Sequence, residues 1–308
     1  MIATVTMNPC IDKTVYLNSF MYGGTNLVAA ARHDTAGKGL NVSLALKAFG
    51  IDSTAISFEF TENPGAVQSL LSAAGIASIL PQAVGTLRTN LKIFEQNDRI
   101  MTELNERGTA PSAATLSAMR TAILRTAESA DILVLSGSLP PGVPEAFYRD
   151  IMRAAHRDGL RFVVDTGGNA LRAALSANPY LIKPNVQELS TLLGRELFTL
   201  PDRICAAKEA VALGAELCCL SMDAEGALLV SKTETYFAPS LAVDVKSAQG
   251  AGDSMVAGLL DAYTKRLPLP DMLCHAVAAA SATIMQDGTQ IGTAADYRRL
   301  CREVRISQ

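Results

Sequence analysis

Short apolar runs and amphipathic stretches alternate along the chain. The runs are IATVT (2–6), TAIS (54–57), ILVLSG (132–137), RFVVD (161–165), YLIK (180–183) and LCCLS (217–221). Their length and aliphatic content predict buried strands. Between them, NVSLALKAFG (41–50), PSAATLSAMRTAILRTAES (111–129) and PEAFYRDIMRAAHRDG (144–159) place apolar residues three and four positions apart, which is the helical period. Strand and helix in alternation are the mark of parallel βαβ units, so the expected fold class is α/β, a mostly parallel sheet covered by helices on both faces.

Two segments break that rhythm. Residues 12–35 and 87–104 read as short alternating strands with hairpin-like turns at GGTN and QNDR. They could build a small β flap beside the main sheet, or remain two irregular surface hairpins. Neither is set off by a linker, a repeat or a low-complexity tract.

Composition narrows the class of function. The 308 residues are 49% hydrophobic and 19% charged, enough to bury a large core. No apolar run approaches the roughly 18 to 20 residues that span a bilayer, and the start MIATVTMNP lacks the basic and apolar regions of a leader, which predicts a cytoplasmic protein without a membrane partner. A formal charge of −3 offers no general field for nucleic acid. The six cysteines form no C-x-x-C pair and no set with histidine at metal-ligand spacing, so they read as buried thiols.

Candidate chemistry lies in two glycine-rich helix starts. In SAQGAGDSMVAGLL (247–260), Met255, Val256, Leu259, Leu260 and Tyr263 mark one helical stripe, which puts Gly250, Ala251 and Gly252 at its N-terminus. Bare amides and the positive end of the helix dipole there suit an anion. Asp253 in the first turn could accept a proton from a hydroxyl that attacks phosphorus. The plainer alternative is a glycine-rich loop followed by an ordinary N-terminal acid.

The second start, AGKGLNVSLALKAFG (36–50), sets Lys38 between Gly37 and Gly39, with Asn41 in the first turn. Lys38 suits a phosphate and Asn41 a sugar hydroxyl, or the loop is merely tight with an exposed lysine. Both G-x-G pairs lack the third glycine of the dinucleotide fingerprint, and no Walker loop exists. In LIKPNVQELSTLLG, Asn185 and Glu188 fit an N-cap and its capping-box acid. Glu188 could also reach a magnesium ion through water, with Lys183 near phosphate.

In order, NPCID, AGKGLNV, LRTNLKI with TELNE, LSGSLPPG, VDTGG, KPNVQEL and SAQGAGDSMVAG resemble the phosphofructokinase B branch of the ribokinase superfamily along nearly the whole chain. GAGDS is the most specific element. The resemblance implies a single ribokinase-like kinase domain over 1–308, with segments 12–35 and 87–104 forming a β lid through which two subunits pair. It implies ATP and Mg²⁺, with a ketohexose phosphate as substrate, fructose 1-phosphate before fructose 6-phosphate and tagatose 6-phosphate. By the same resemblance Asp253 is the base, and Gly250, Ala251 and Gly252 form the anion hole. Asp12, Gly37, Lys38, Asn41, Arg88 and Ser138 match sugar or sugar-phosphate positions. Lys183, Asn185, Glu188, Ser221, Gly226 and Ser247 match the nucleotide and metal side.

The chain departs from the pattern in the first lid hairpin. Leu27 stands about where such kinases carry a basic residue, so Lys38 and Arg88 are left to grip a substrate phosphate. Ala36, Phe58-Glu59-Phe60 and Arg107-Gly108-Thr109 also replace usual residues. A ribokinase-like kinase of a free sugar or nucleoside, or a binding protein without turnover, are the alternative readings.

Overall fold

The computed structural model describes residues 1–308. Its main sheet has nine strands in the spatial order Thr235–Ala238, Ala227–Val230, Leu217–Ser221, Leu181–Ile182, Arg161–Asp165, Ile132–Ser136, Ile2–Thr6, Ser53–Ser57 and Ala77–Ile79. All neighbours are parallel from Leu217–Ser221 to Ala77–Ile79, as the strand and helix alternation implies. The first two strands of that order run antiparallel and close the edge. The sequence reading missed this hairpin, and it gave the strand at 181–182 two residues too many.

Each central strand is apolar on both sides because each side meets helices. Ala3, Val5, Leu133 and Leu135 pack into one core, while Ile2, Ile132, Val134 and Val163 pack into the other. Successive side chains of a strand point to opposite faces, so an unbroken apolar run serves both layers. Local signals end the helices where the sequence suggests. Ser112 accepts from the Thr115 amide before helix Ala113–Ala127, and helix Val186–Leu193 starts on the Asn185/Glu188 capping box and stops at Gly194. No helix is long and apolar enough to cross a membrane.

The two segments that broke the rhythm contribute to a second sheet of four strands, in the order Ala30–Ala36, Cys10–Leu17, Arg88–Glu95 and Ile100–Asn105. The outer pairs are antiparallel, and the central pair, Cys10–Leu17 with Arg88–Glu95, is parallel. That parallel pair joins parts of the chain about 80 residues apart, which no local turn signal encodes.

In the main sheet the connections leave Ile2–Thr6 in one direction, to Ser53–Ser57, and later return on its other side at Ile132–Ser136. The chain therefore opens a crevice at the carboxyl ends of these two strands, the usual ligand position in a parallel sheet. Cys10, Cys218 and Cys219 are buried, and Cys274 and Cys301 half-buried, whereas Cys205 is exposed against expectation.

The far end of helix Ala251–Thr264 is fixed by a buried acid. Asp261 Oδ2 accepts from Lys265 Nζ at 2.7 Å and from the Tyr297 hydroxyl at 2.5 Å, and lies 2.9 Å from His275 Nδ1. Burial raises its pKa, but the hydrogen bonds from His275, Lys265 and Tyr297 outweigh it and bring the pKa down to about 2. The folded chain thus favours the carboxylate. The stabilisation is present above the unfolded value of about 3.9 and is lost as pH falls through about 2. Asp261→Asn should lower stability near neutral pH by about 1.5–3 kcal/mol and flatten the loss of stability on acidification. Thermal melts across pH check this, and an unchanged profile would contradict it.

Candidate active site

The crevice is a cleft of about 730 Å³ between the carboxyl end of the main sheet and the small sheet. Thr6, Gly137 and Thr166 line it from the ends of three adjacent strands, and Asp12, Arg88 and Asn105 from the small sheet. Two helix starts meet on its floor. Helix Lys38–Ala48 begins after Gly37, and helix Ala251–Thr264 begins after Gly250, whose left-handed φ of 73° suits glycine. The amides of Ala251, Gly252 and Asp253 donate to no acceptor within the protein.

Asp253 is buried at this floor, and its Oδ2 accepts from Asn41 Nδ2 at 2.7 Å. Asn41 therefore contacts the candidate base, where the sequence reading gave it a sugar hydroxyl. Burial raises the Asp253 pKa most, the charge of Asp165 raises it further, and Lys38, Asn41 and Lys183 pull it back, leaving it at about 6. An acid held there is mostly ionised at neutral pH yet more basic than an ordinary carboxylate.

Asp165 ends strand Arg161–Asp165 and is fully buried. Its Oδ1 lies 3.2 Å from Lys38 Nζ and 3.3 Å from Lys183 Nζ, and its Oδ2 has no partner. Burial works against its charge, but Lys183 and Lys38 outweigh that and hold its pKa below the usual value. Burial works against Lys38 too, and Asp165, Glu188 and Asp253 overcome it and push its pKa up. The side chain of Lys38 is still 37% exposed, toward the cleft. Glu188 Oε1 stands 3.6 Å from Lys38 Nζ, while its Oε2 accepts from the Asn185 amide at 2.9 Å. Cap and cleft residue are one side chain.

Of the residues expected from sequence, Asp12, Gly37, Lys38, Asn41, Arg88, Ser138, Glu188, Gly250 and Asp253 line this one cleft. Ser138 accepts from Asn8 Nδ2 at 3.1 Å, and Arg88 donates to the carbonyls of Asn8 at 3.3 Å and Glu106 at 2.9 Å. Lys183 lies beneath Gly252, and Asn185 and Ser221 bridge each other at the ends of neighbouring strands, outside the cleft lining. Ser247 lines a neighbouring pocket that shares Glu103 and Gln249 with the cleft, and it accepts from the Gln249 amide at 3.2 Å. Gly226 serves a turn before strand Ala227–Val230. Its φ is 105°, and a Cβ there would stand 2.0 Å from the Ala238 carbonyl oxygen.

Sequence reasoning missed Asp165, Asn8, Asn90 and Lys92. Asp165 stands in the sequence only as the end of the strand RFVVD and the start of the VDTGG motif's polar part, with no sign of a partner. Asn90 and Lys92 had a usable signal, since Arg88, Asn90 and Lys92 share one face of a strand by its two-residue period.

Comparison with known proteins finds relatives along nearly the whole chain. The chain is 35% identical over 306 residues to a 1-phosphofructokinase of Rhodobacter capsulatus, covering 99% of this chain and 97% of the relative. It is 36% identical over 291 residues to a 1-phosphofructokinase of Escherichia coli, covering 94% and 93%. The structure of phosphofructokinase-2 from Escherichia coli in complex with substrates and products superposes with a TM-score of 0.91 at 30% identity, covering 98% of each chain. The pfkB carbohydrate kinase family matches residues 5–296, and the protein belongs to that family.

Proposed function

We propose that the protein transfers the γ-phosphoryl group of ATP to a primary hydroxyl of fructose 1-phosphate, giving fructose 1,6-bisphosphate and ADP. The observation that carries this reading is Asp253, buried beside unpaired helix amides at the floor of the cleft, with a pKa of about 6. The names of the relatives support a fructose phosphate as acceptor. Fructose 6-phosphate and tagatose 6-phosphate are the nearest rivals.

In the reaction, the attacking hydroxyl gives its proton to Asp253 as its oxygen bonds to the γ-phosphorus. The bond from that phosphorus to the bridging oxygen breaks, and the electron pair leaves with ADP. Asn41 holds Asp253 in place, and the amides of Ala251 and Gly252 take up charge on the transferring group. We read Lys38 as serving this group too, because its ion pairs with Asp165 and Glu188 keep it at the floor. The sugar's own phosphate then falls to Arg88, and Asp12 and Ser138 face sugar hydroxyls. Lys183, Asn185 and Ser221 adjoin the floor on the nucleotide side.

The residues fit a magnesium ion carried largely by phosphate oxygens and water. There is no group of three or more His, Cys, Asp or Glu side chains able to hold a metal ion alone. Glu188 keeps Oε1 toward the cleft, and Asp165 keeps one oxygen without a partner. Magnesium usually retains several waters, so Glu188 would hold it through water, and the ion would neutralise phosphate charge.

We read the small sheet as a lid over the cleft within one kinase domain, and as the surface through which two copies pair. Ile100 and Leu104 are exposed on its edge strand, and Tyr22, Leu27 and Val28 on the loop that joins two of its strands, more apolar surface than a solvated sheet edge usually shows. A monomer in sedimentation equilibrium would contradict the pairing. ATP and a sugar phosphate as substrates favour a cytoplasmic protein, which cell fractionation checks.

Asp253→Asn should keep ATP and sugar-phosphate binding while losing roughly 10²- to 10⁴-fold in turnover, measured as ADP release. Near-normal turnover would overturn the role of Asp253. In the same assay, Glu188→Gln separates cap from metal residue, because glutamine can still cap the helix. The metal role predicts lower activity that recovers at higher Mg²⁺. An unchanged Mg²⁺ titration would leave Glu188 with its cap alone.

A further inference from the structure

Three cations line the cleft: Lys38, Arg88 and Lys92. Lys38 is engaged by Asp165 and Glu188. Arg32, the next cation along the small sheet, is bound to Asp34 at 3.0 Å and to the Asp287 carbonyl at 3.1 Å. Leu27 is 87% exposed and brings no charge. Arg88 and Lys92 are the cations left to the small-sheet end of the cleft, and both point to the face that carries Cys10 and Asp12.

Lys92 is buried, with Nζ 2.7 Å from Asp12 Oδ2, while Asn90 Nδ2 donates to Asp12 Oδ1 at 3.0 Å. Asp12 pairs in register with Asn90, so the Lys92 side chain leans back along the strand to reach it. The ammonium makes this one hydrogen bond and has three donors to offer, and Asn90 Oδ1 is buried without a partner. Polar capacity is therefore left over beside Asp12, on the lining of the cleft. The charges of the small sheet that line the cleft are Asp12 and Glu103 against Arg88 and Lys92, a balance of zero. Without Lys92 the same wall carries −1, and a dianionic phosphate entering beside Asp12 meets net repulsion in a partly desolvated site.

We propose that Lys92 is a specificity-determining positioning residue. It orients Asp12 toward sugar hydroxyls and cancels its charge, so that the cleft accepts a phosphorylated sugar in preference to a free one. Arg88 contacts the phosphate, and Lys92 acts through Asp12. This rests on the sugar-phosphate reading above.

The test is a charge series read as one ratio, kcat/KM for fructose 1-phosphate over kcat/KM for fructose. Lys92→Met sets the wall to −1, Lys92→Met with Asp12→Asn returns it to zero, and Asp12→Asn alone sets it to +1. The ratio should fall about tenfold in Lys92→Met, return to within about threefold of wild type in the double variant, and exceed wild type in Asp12→Asn. Damage to Asp12 or to the fold lowers both rates together and leaves the ratio unmoved, so a ratio indifferent to wall charge overturns the inference. If Lys92→Met alone fails to fold, Asp12→Asn, which sets the wall to +1 and leaves no unpaired buried carboxylate, still decides: a ratio above wild type supports the inference and an unmoved one overturns it. A wild type that turns over fructose as well as any fructose phosphate removes the substrate reading itself. A selective wild type with an unmoved series removes only the role of Lys92.

Discussion

Two carboxylates and two lysines meet at and beneath the floor of the cleft, and the site depends on how their charges are balanced. A charge taken out of water is costly unless it is paired. Asp165, fully buried, stays ionised because Lys38 and Lys183 lie within 3.3 Å of it. That leaves the two cations partly spent. Asp253 is raised first by its own burial and then by the repulsion of Asp165, and the attraction of Lys38 and Lys183 only partly offsets these, so its pKa settles at about 6.

The arrangement needs four separate parts of the chain to meet. Asp165 ends a strand, Lys183 follows the next one, and Lys38 and Asp253 open two helices. The parallel sheet brings the strand ends together on one edge, and the helix starts lie over them. A carboxyl raised above its unfolded value binds an extra proton in the folded state, so the fold loses stability as pH rises through about 6. The site thus holds a base suited to neutral pH at some expense of stability, as strained functional groups commonly do. Distant structure offsets it, as at Asp261 on the same helix, whose pKa is shifted in the opposite direction.

Much of this was legible in the sequence because it is local. Apolar runs gave the central strands, and period-two alternation after Asp12 and Leu87 gave the extra strands. Glycines before an amphipathic stripe gave both helix starts, with Asp253 in the right turn. The Asn185/Glu188 spacing gave a capping box that the structure contains. What was missed depends on tertiary pairing. Nothing near Lys92 in sequence indicates that it meets Asp12 across a parallel strand pair, and Asp165 looks like a strand end until two lysines from other elements converge on it. Ser247 and Gly226, expected by resemblance on the nucleotide side, lie outside the cleft lining, and each has a local backbone contact of its own.

The central claim, that the charge of Asp165 adds to burial in raising the basicity of Asp253, is tested by following the Asp253 carboxyl by carbon-detected NMR across pH, in wild type and in Asp165→Asn. The account predicts a titration near pH 6 in wild type. In the variant it predicts a clear downward shift, because the repelling charge is gone and Lys38 and Lys183 are released to attract Asp253. A wild-type value in the ordinary carboxylate range, or no change on neutralising Asp165, would contradict it.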